Sequence, residues 1–85
     1  MTTAKTFYFY IVRCADDSLY SGITTDLKRR VGEHNSHKLG AKYTRSKQPV
    51  TLVYKEKFSS KSTAMRREWE VKKMTKKEKE SLLAL

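Results

Sequence analysis

Apolar and polar residues near the start of the chain follow the pattern of two short β-strands. Residues 7–12 are aromatic and β-branched and too few for a helix of useful length, so they predict a strand. Residues 15–18 are Ala-Asp-Asp-Ser, and Asp and Ser side chains can bond nearby backbone amides in a turn. A second stretch of strand character runs from Leu19 to Thr24. The two strands therefore predict a β-hairpin.

The pattern then changes to helical spacing. Thr25 or Asp26 can cap a helix that runs to about His34. Leu27 and Val31 are four residues apart and share one side of that helix. We expect this side to face the sheet.

A loop, a third strand and a second helix follow. Residues 35–48 are polar and basic, which predicts a loop, and Pro49 opens the next strand. We expect four apolar side chains of that strand, interrupted only by a glutamate, to share one face: Val50, Leu52, Tyr54 and Phe58. Ser59 or Ser60 then starts a helix over about 61–73.

A capping box marks the start of a third helix. Thr75 and Glu78 have the Thr-x-x-Glu spacing of that motif, and the helix is predicted over about 75–84. Its apolar edge would consist of three leucines, Leu82, Leu83 and Leu85. The order β-β-α-β-α-α predicts the α+β class, with a small, mainly antiparallel three-stranded sheet flanked by helices. We expect one domain over residues 1–85, with its core in about 7–74.

Charge narrows the classes of partner. The chain has 19 Lys and Arg against 9 Asp and Glu, a net charge of +10. Residues 6–12 carry no charge, whereas three segments are dense in cations: 28–30, 38–47 and 72–79. Clustered cations near phosphates release condensed counterions. Nucleic acid is therefore the first candidate partner, and an anionic membrane surface is the second.

Several other classes are disfavoured by composition. Cys14 is the single cysteine, so no internal disulfide can form, and with two histidines it is too little for a four-ligand zinc site. The longest apolar run, Phe7 to Val12, is far shorter than the ~20 residues of a membrane span. It is also too short for the core of a signal peptide. We expect a soluble, cytoplasmic protein.

One acidic residue of the second helix lies in an unusual position. At about 100° per residue, Ala64, Glu68 and Val71 fall within one arc. Met65 and Trp69 extend this apolar stripe on one side. A carboxylate among apolar side chains is costly unless a cation compensates it. Glu68 should therefore meet either an Arg or Lys in a salt bridge or a metal ion, and the helix pattern leaves both open.

The first helix and the hairpin carry further polar candidates. Arg30 and His34 lie along the edge of the predicted buried side, where Arg30 could bind a phosphate, neutralise Glu68 or face water. His34 could equally be a polar group at the helix end. Tyr10 and Tyr20 lie on paired strands, where most tyrosines serve packing. Gly22 leaves space that a ligand or backbone could approach.

In order and spacing, these residues resemble the GIY-YIG nuclease superfamily. The first motif corresponds to residues 8–10 and the second to residues 20–22, followed by Arg30 in one helix and Glu68 in a later one. Three wider segments carry the resemblance, Leu19–Arg30, Glu33–Asn35 and Ala64–Trp69. The match covers about residues 7–74 and looks most like the small stand-alone bacterial members.

The resemblance implies a three-stranded antiparallel sheet flanked by helices and metal-dependent hydrolysis of DNA phosphodiester bonds. Structure-selective cleavage in DNA repair or recombination is the context it suggests. Two positions depart from the family pattern, Tyr8 in place of a glycine and Ser21 in place of an isoleucine. Neither departure removes a reactive group, although Tyr8 adds bulk at the first motif.

The resemblance also implies roles for individual residues. Glu68 would hold one Mg²⁺ or Mn²⁺ ion, bound weakly without DNA. Arg30 and the metal would stabilise the charge that develops on the phosphate. Tyr20 would take the proton of the attacking water, while Tyr10 or His34 positions that water or the phosphate.

The basic side chains expected to hold the DNA backbone without reading bases are Arg29, Lys38, Lys42, Arg45, Lys47, Lys72 and Lys73. A partner protein could supply the substrate specificity that so small a domain lacks. The main alternative function is a basic nucleic-acid-binding module on the same fold that does not cleave. A weaker one is an adaptor whose segment 82–85 docks a partner protein. The polymer could be DNA or RNA, with DNA favoured.

Overall fold

The fold was analysed in a computed structural model of the chain, which describes residues 5–36, 44 and 46–84. Its strands are β1 (Phe7–Arg13), β2 (Leu19–Thr24) and β3 (Thr51–Phe58). Its helices over the described residues are α1 (Leu27–His34), α2 (Lys61–Lys72) and α3 (Lys76–Leu83). The predicted α+β class and the order β-β-α-β-α-α are confirmed.

The three strands form one antiparallel sheet in the order β2-β1-β3. The predicted hairpin between β1 and β2 is present. In its turn, Asp16 Oδ1 accepts a hydrogen bond of 3.1 Å from the backbone amide of Ser18. Asp17 has a φ of 72°, a left-handed conformation that Asp tolerates better than most residues. The turn chemistry read from the sequence therefore closes the hairpin.

Side-chain caps start the helices α1, α2 and α3. Asp26 accepts a hydrogen bond from the amide of Arg29, and Ser60 accepts one from the amide of Thr63. For α3, Thr75 and Glu78 each accept a hydrogen bond from the other's backbone amide, which confirms the predicted capping box. Local sequence thus determines where each helix begins.

A β-bulge divides β3 between the two faces of the sheet. Ile11 pairs with Tyr54, but its neighbour Val12 pairs with Leu52, so Val53 is an extra residue. Val50 and Leu52 consequently pack on one face, whereas Tyr54 and Phe58 pack on the other. The prediction that these four side chains share a face was wrong, because the bulge reverses the alternation.

The sheet separates two small cores. On the α1 face, Tyr10 and Val12 pack with Leu27 and Val31 of α1 and with Val50. On the α2–α3 face, Phe9 and Ile11 pack with Val71 of α2, and the apolar residues that complete this core include Met74, Leu82 and Leu83. Successive residues of β1 therefore supply both cores, as the two-residue period of a strand requires.

The C-terminal helix is part of this packing. Leu82 and Leu83 contact the α2–α3 face, and Glu80 binds the guanidinium of Arg13 through both carboxylate oxygens at 2.9 and 2.7 Å. These leucines are used within the fold, which removes the main support for an adaptor tail. Leu85, the third predicted leucine, lies outside the described residues. Across the described parts of the chain, no helix has the length and apolar character needed to span a membrane.

Candidate active site

Tyr10 and Tyr20 are brought together by the register of the hairpin. Tyr20 pairs with Val12, and Tyr10 pairs with Gly22, so both tyrosines point to the α1 face. Tyr10 is buried within that core, whereas Tyr20 packs against it half-buried. The two tyrosines of the sequence motifs therefore share one site.

The space above the Cα atom of Gly22 is filled by another side chain rather than open. A Cβ atom at this position would lie 2.7 Å from the Tyr10 hydroxyl oxygen and 2.9 Å from its Cζ. The ring of Tyr10 thus lies directly over the backbone of Gly22. The expectation that this glycine leaves room for a ligand was wrong, because a side chain of the neighbouring strand fills the gap.

A buried chain of hydrogen bonds runs inward from Tyr10. Its hydroxyl lies 2.8 Å from Nε2 of His34, and Nδ1 of His34 lies 2.8 Å from Oγ1 of Thr44. Both His34 and Thr44 are fully buried. The ring of Tyr20 meets His34 edge to face, with centroids 5.3 Å apart. His34 is therefore a bonded part of the interior rather than a polar group at the helix end.

Burial sets the protonation states of Tyr10 and His34 in this hydrogen-bonded chain. It raises the pKa of Tyr10, and among the nearby charges Arg30 opposes that shift while Glu68 adds to it. Burial also lowers the pKa of His34, and the positive charge of Arg30 acts in the same direction. Both groups are therefore neutral at pH 7.

Arg30, a residue of α1, lies at the solvent-facing end of this chain of hydrogen bonds, next to Tyr10. Its side chain is 26% exposed and donates a hydrogen bond of 2.8 Å to Glu33. Although burial lowers the pKa of Arg30, hydrogen bonds to Glu33 and Tyr10 outweigh that effect and raise it. The guanidinium is thus a fixed positive charge beside the Tyr10 hydroxyl.

Glu68 reaches the same region from α2. Its side chain is 23% exposed and forms a long ion pair of 3.5 Å with Lys72, which is itself 57% exposed. Burial is the main cause of the raised pKa of the Tyr10 phenol, and the negative charge of Glu68 adds to it while Arg30 opposes it. Arg30 therefore lies beside the Tyr10 hydroxyl, Tyr20 contacts its partner His34, and Glu68 is close enough for its charge to act on the Tyr10 phenol.

The apolar stripe predicted for α2 is narrower than expected. Ala64 and Val71 are buried, but Met65 is 50% exposed and Trp69 is 60% exposed. Including the last two in a buried stripe was wrong. A helical wheel gives the angle between residues but not the width of the contact, and α2 contacts the sheet along the Ala64–Val71 line. Glu68 consequently lies at the border between core and solvent.

The basic residues predicted to hold a polymer have different surroundings. Arg29, Lys72 and Lys73 are exposed, with Arg29 3.7 Å from Glu33. Lys47 is partly covered and lies 2.9 Å from Asp16. The remaining three, Lys38, Lys42 and Arg45, lie outside the described residues.

Thr44 is the site residue that the sequence analysis missed. The segment around it was assigned to a polar, basic loop, in which one threonine gives no periodic signal. Its hydroxyl nonetheless fixes the buried ring of His34. A threonine flanked by Tyr43 and Arg45 stands out only once the position of the histidine is known.

The donor set fits a hard divalent cation that brings most of its own ligands. Among the described residues, no three His, Cys, Asp or Glu side chains gather into a metal-binding group. Glu68 is a half-buried carboxylate whose partner Lys72 is long, exposed and displaceable. Mg²⁺ commonly binds one or two carboxylates and completes its shell with water and phosphate oxygens. Glu68 can serve such an ion, although it cannot hold one firmly alone.

Comparisons with known proteins identify relatives of this chain. A family model described as the GIY-YIG catalytic domain matches residues 6–81. The UPF0213 protein SH2523 of Staphylococcus haemolyticus is 56% identical over 72 residues, covering 85% of this chain and 87% of its own. The UPF0213 protein NP_0776A of Natronomonas pharaonis is 51% identical over 81 residues, covering 95% of this chain and 94% of its own.

Solved structures share the fold. The solution NMR structure of the UPF0213 protein BH0048 from Bacillus halodurans aligns with a TM-score of 0.61 and 48% identity, over 93% of this chain and 83% of that one. The protein EF2693 from E. faecalis aligns with a TM-score of 0.65 and 45% identity, over 99% and 88%. With its two motif tyrosines on paired strands and its arginine and glutamate on flanking helices, the chain belongs to the GIY-YIG family, whose nucleases generally use divalent metals.

Proposed function

We propose that this protein is a divalent-metal-dependent endonuclease that hydrolyses DNA phosphodiester bonds. The observation that supports the proposal is that Arg30 and Tyr20 lie beside the hydrogen-bonded pair of Tyr10 and His34, with Glu68 close enough for its charge to act on the Tyr10 phenol. A phenol, a guanidinium and a carboxylate are the groups needed to accept a proton, bind a phosphate and hold a cation. The net charge of +10 supports a polyanionic substrate.

Arg30 is the phosphate-binding residue of this proposal. Its guanidinium presents a planar set of donors that suits two phosphate oxygens at once. Its bond to Glu33 holds the side chain in place before substrate arrives. A preoriented positive charge stabilises the additional negative charge of the transition state without reorganising in the reaction.

Tyr20 is the proton acceptor. Unlike Tyr10, it is half-buried and therefore accessible from solvent. With its own proton first released to solvent, the Tyr20 oxygen would accept the proton of the water whose oxygen bonds to phosphorus. The bond to the leaving oxygen breaks in the same step, and that oxygen takes a proton from solvent. The edge-to-face contact with His34 fixes the ring in position for this transfer.

Tyr10 and His34 act through these residues rather than on the substrate. Both are buried and neutral, and they link Arg30 to Thr44 through consecutive hydrogen bonds. Their role in the proposal is to fix the guanidinium of Arg30 and the ring of Tyr20. We therefore assign them as positioning residues.

Glu68 would hold the Mg²⁺ or Mn²⁺ ion. When bound, such an ion would stabilise the negative charge that develops during cleavage of the phosphodiester. The Lys72 ammonium would move away from Glu68 to contact the DNA backbone, as would Arg29 and Lys73. The same backbone role is proposed for the other four predicted cations, Lys38, Lys42, Arg45 and Lys47.

A cleavage assay on supercoiled, branched and single-stranded DNA, with Mg²⁺, Mn²⁺ or EDTA, tests the proposal. We expect nicking with metal that EDTA abolishes. Glu68→Gln and Arg30→Ala should each lower kcat by about 10²- to 10³-fold, the usual cost of removing one preoriented charge. Binding in EDTA, measured by fluorescence anisotropy, should change much less.

Two matched variants control for the loss of charge alone. Glu70→Gln removes an exposed carboxylate of the same helix, and Lys28→Ala removes an exposed cation of α1. Both should cleave nearly as the unmodified protein does. Salt-sensitive binding without any product from any substrate would instead establish the non-cleaving binding module.

A further inference from the structure

Two large apolar side chains of α2 face solvent beside the proposed site. Met65 and Trp69 are four residues apart, so they are neighbours on one side of the helix. Each is at least half exposed, whereas Ala64 and Val71 carry the buried contact. Exposed apolar groups of this size in so basic a chain indicate a contact surface.

The Trp69 ring is held by a cation. Nζ of Lys73 lies 3.5 Å from the centroid of the indole, a cation–π contact. This contact uses one face of the ring, while 60% of the residue stays accessible to solvent. An aromatic plane is therefore held at the surface with a positive charge attached to it.

This plane adjoins Glu68. Successive residues are rotated by about 100° around the helix axis. Starting from the buried side with Ala64 and Val71, the residues therefore follow one another around the helix in the order Glu68, Lys72, Met65, Trp69 and Lys73. Met65 and Lys72 are each three or four residues from both Glu68 and Trp69. One continuous surface therefore joins the acidic side chain to the indole, with cations along it.

We propose that Trp69 is a stacking platform for an unpaired nucleobase next to the scissile phosphodiester bond, with Lys72 and Lys73 contacting the flanking phosphates. This inference rests on the proposed nuclease function and adds a base-binding position to it. Stacking on an aromatic ring requires a base whose face is free, so the platform favours DNA that is unpaired at this nucleotide.

Charge favours a nucleotide over another copy of this chain on the same surface. Two molecules of net charge +10 repel each other, and the cations Lys72 and Lys73 would meet cations. A nucleotide offers both complements at once, a π-face for the indole and a phosphate for the ammonium groups. The occupant is therefore a strand of DNA.

Trp69 is the single tryptophan, so its fluorescence reports the platform directly. The unmodified protein is titrated in EDTA with a single-stranded oligonucleotide and with an equally long strand of abasic sugar-phosphate units. The two strands carry the same charge and differ only in their bases. We expect saturable quenching by the base-containing strand and little or none by the abasic strand.

Variants separate stacking from charge. Trp69→Ala should weaken binding of the base-containing strand by about 5- to 100-fold, the range for one stacked base, in an anisotropy assay with a labelled strand. Trp69→Phe, which keeps an aromatic face, should recover most of the affinity. Met65→Ala is the control for an exposed apolar residue and should change binding less. All three should bind the abasic strand as the unmodified protein does.

The outcomes distinguish this inference from the proposed function. Equal quenching by both strands, or unchanged affinity in Trp69→Ala, would overturn the platform even if metal-dependent cleavage is found. Quenching that depends on protein concentration without DNA would overturn it in favour of self-association. Base-dependent quenching without cleavage on any substrate would support the platform and refute the endonuclease.

Discussion

The two faces of the sheet are built from alternate residues of the same strand and are held by different forces. On the α2–α3 face, Phe9 and Ile11 are enclosed by apolar side chains. On the α1 face, Tyr10 is enclosed partly by polar groups, His34 and Thr44, whose hydrogen bonds are satisfied. Across the described residues, no buried side-chain nitrogen or oxygen lacks a partner. Apolar packing holds the α2–α3 face together. On the α1 face, part of that packing is replaced by buried polar groups joined by hydrogen bonds.

The difference shows how a chain of 85 residues can carry a site. Small domains have thin stability margins because they bury a smaller fraction of their surface. Here the polar chain stays inside the sheet–helix interface, and only Tyr20, Arg30 and Glu68 reach the border with solvent. The site is therefore held in place from within, by the polar chain of hydrogen bonds.

The strongest test of this comparison removes packing from the α2–α3 face. Ile11 is fully buried, so Ile11→Ala should lower the free energy of unfolding by about 2–5 kcal/mol. Urea denaturation followed by circular dichroism measures this change. Cleavage per folded molecule should stay near that of the unmodified protein, and a large loss of kcat in fully folded protein would show that the two faces are not independent.

The next test strains the α1 face at its tightest contact. Gly22→Ala places a methyl group 2.7 Å from the Tyr10 hydroxyl, and the buried ring has little room to move. We expect a loss of about 1–3 kcal/mol of stability, as for other overpacked sites, together with reduced kcat. Gly32→Ala is the control, since its Cβ would meet nothing within 4 Å. Within α1 it should stabilise by about 0.5–1 kcal/mol.

A milder test interrupts the polar chain at its inner end. Thr44→Val keeps the shape of the side chain but leaves Nδ1 of His34 without this partner, at an expected cost of about 1–3 kcal/mol. If Thr44 positions the site, kcat should fall while the KM for DNA changes little. Thr44→Ser restores the hydroxyl and should recover both stability and kcat. Recovery of stability alone would limit Thr44 to a structural role.

The smallest effect is a pH dependence of stability. Burial, assisted by Arg30 and opposed by Glu33, holds the pKa of His34 below its ordinary value near 6.5. As pH falls below about 6.5, His34 therefore binds a proton in the unfolded chain but stays neutral in the folded protein, so the free energy of unfolding decreases. The slope from this residue is at most about 1.4 kcal/mol per pH unit.

His34→Gln should flatten this part of the stability–pH curve, which denaturation between pH 5 and 8 in steps of about half a unit measures. His37 is present in both proteins, so its contribution cancels in the comparison. The same slope in both proteins would mean that His34 binds its proton equally well in the folded and the unfolded chain. The groups around it, Tyr10, Tyr20 and Thr44, would then need a different hydrogen-bond arrangement.

Local chemistry made most of the elements predictable. The hairpin turn, the caps at Asp26 and Ser60 and the capping box at Thr75 each depend on residues a few positions apart, and all were found where expected. The hairpin alone was enough to place the two motif tyrosines on paired strands. What failed depended on distant contacts: the bulge at Val53, the packing partner of Gly22 and the limit of the buried surface of α2.

The candidate site was predictable to a similar extent. Arg30 and Glu68 stood out because charged groups at the edge of apolar patterns need a partner. The depth of His34 and the involvement of Thr44 did not stand out, because both depend on a buried hydrogen bond between residues ten positions apart. No periodic pattern around Thr44 carries that information.

The contact between Tyr10 and Gly22 has a consequence for redesigning this scaffold. The ring of Tyr10 fills the space that a side chain at position 22 would need. Positions 10 and 22 therefore depend on each other, although each belongs to a different motif. A library that varies either position alone would mostly sample collisions or voids. Both positions should be varied together, so that a large side chain on one strand is matched by a small one on the other. Such paired changes could place a new functional group at this position in the core.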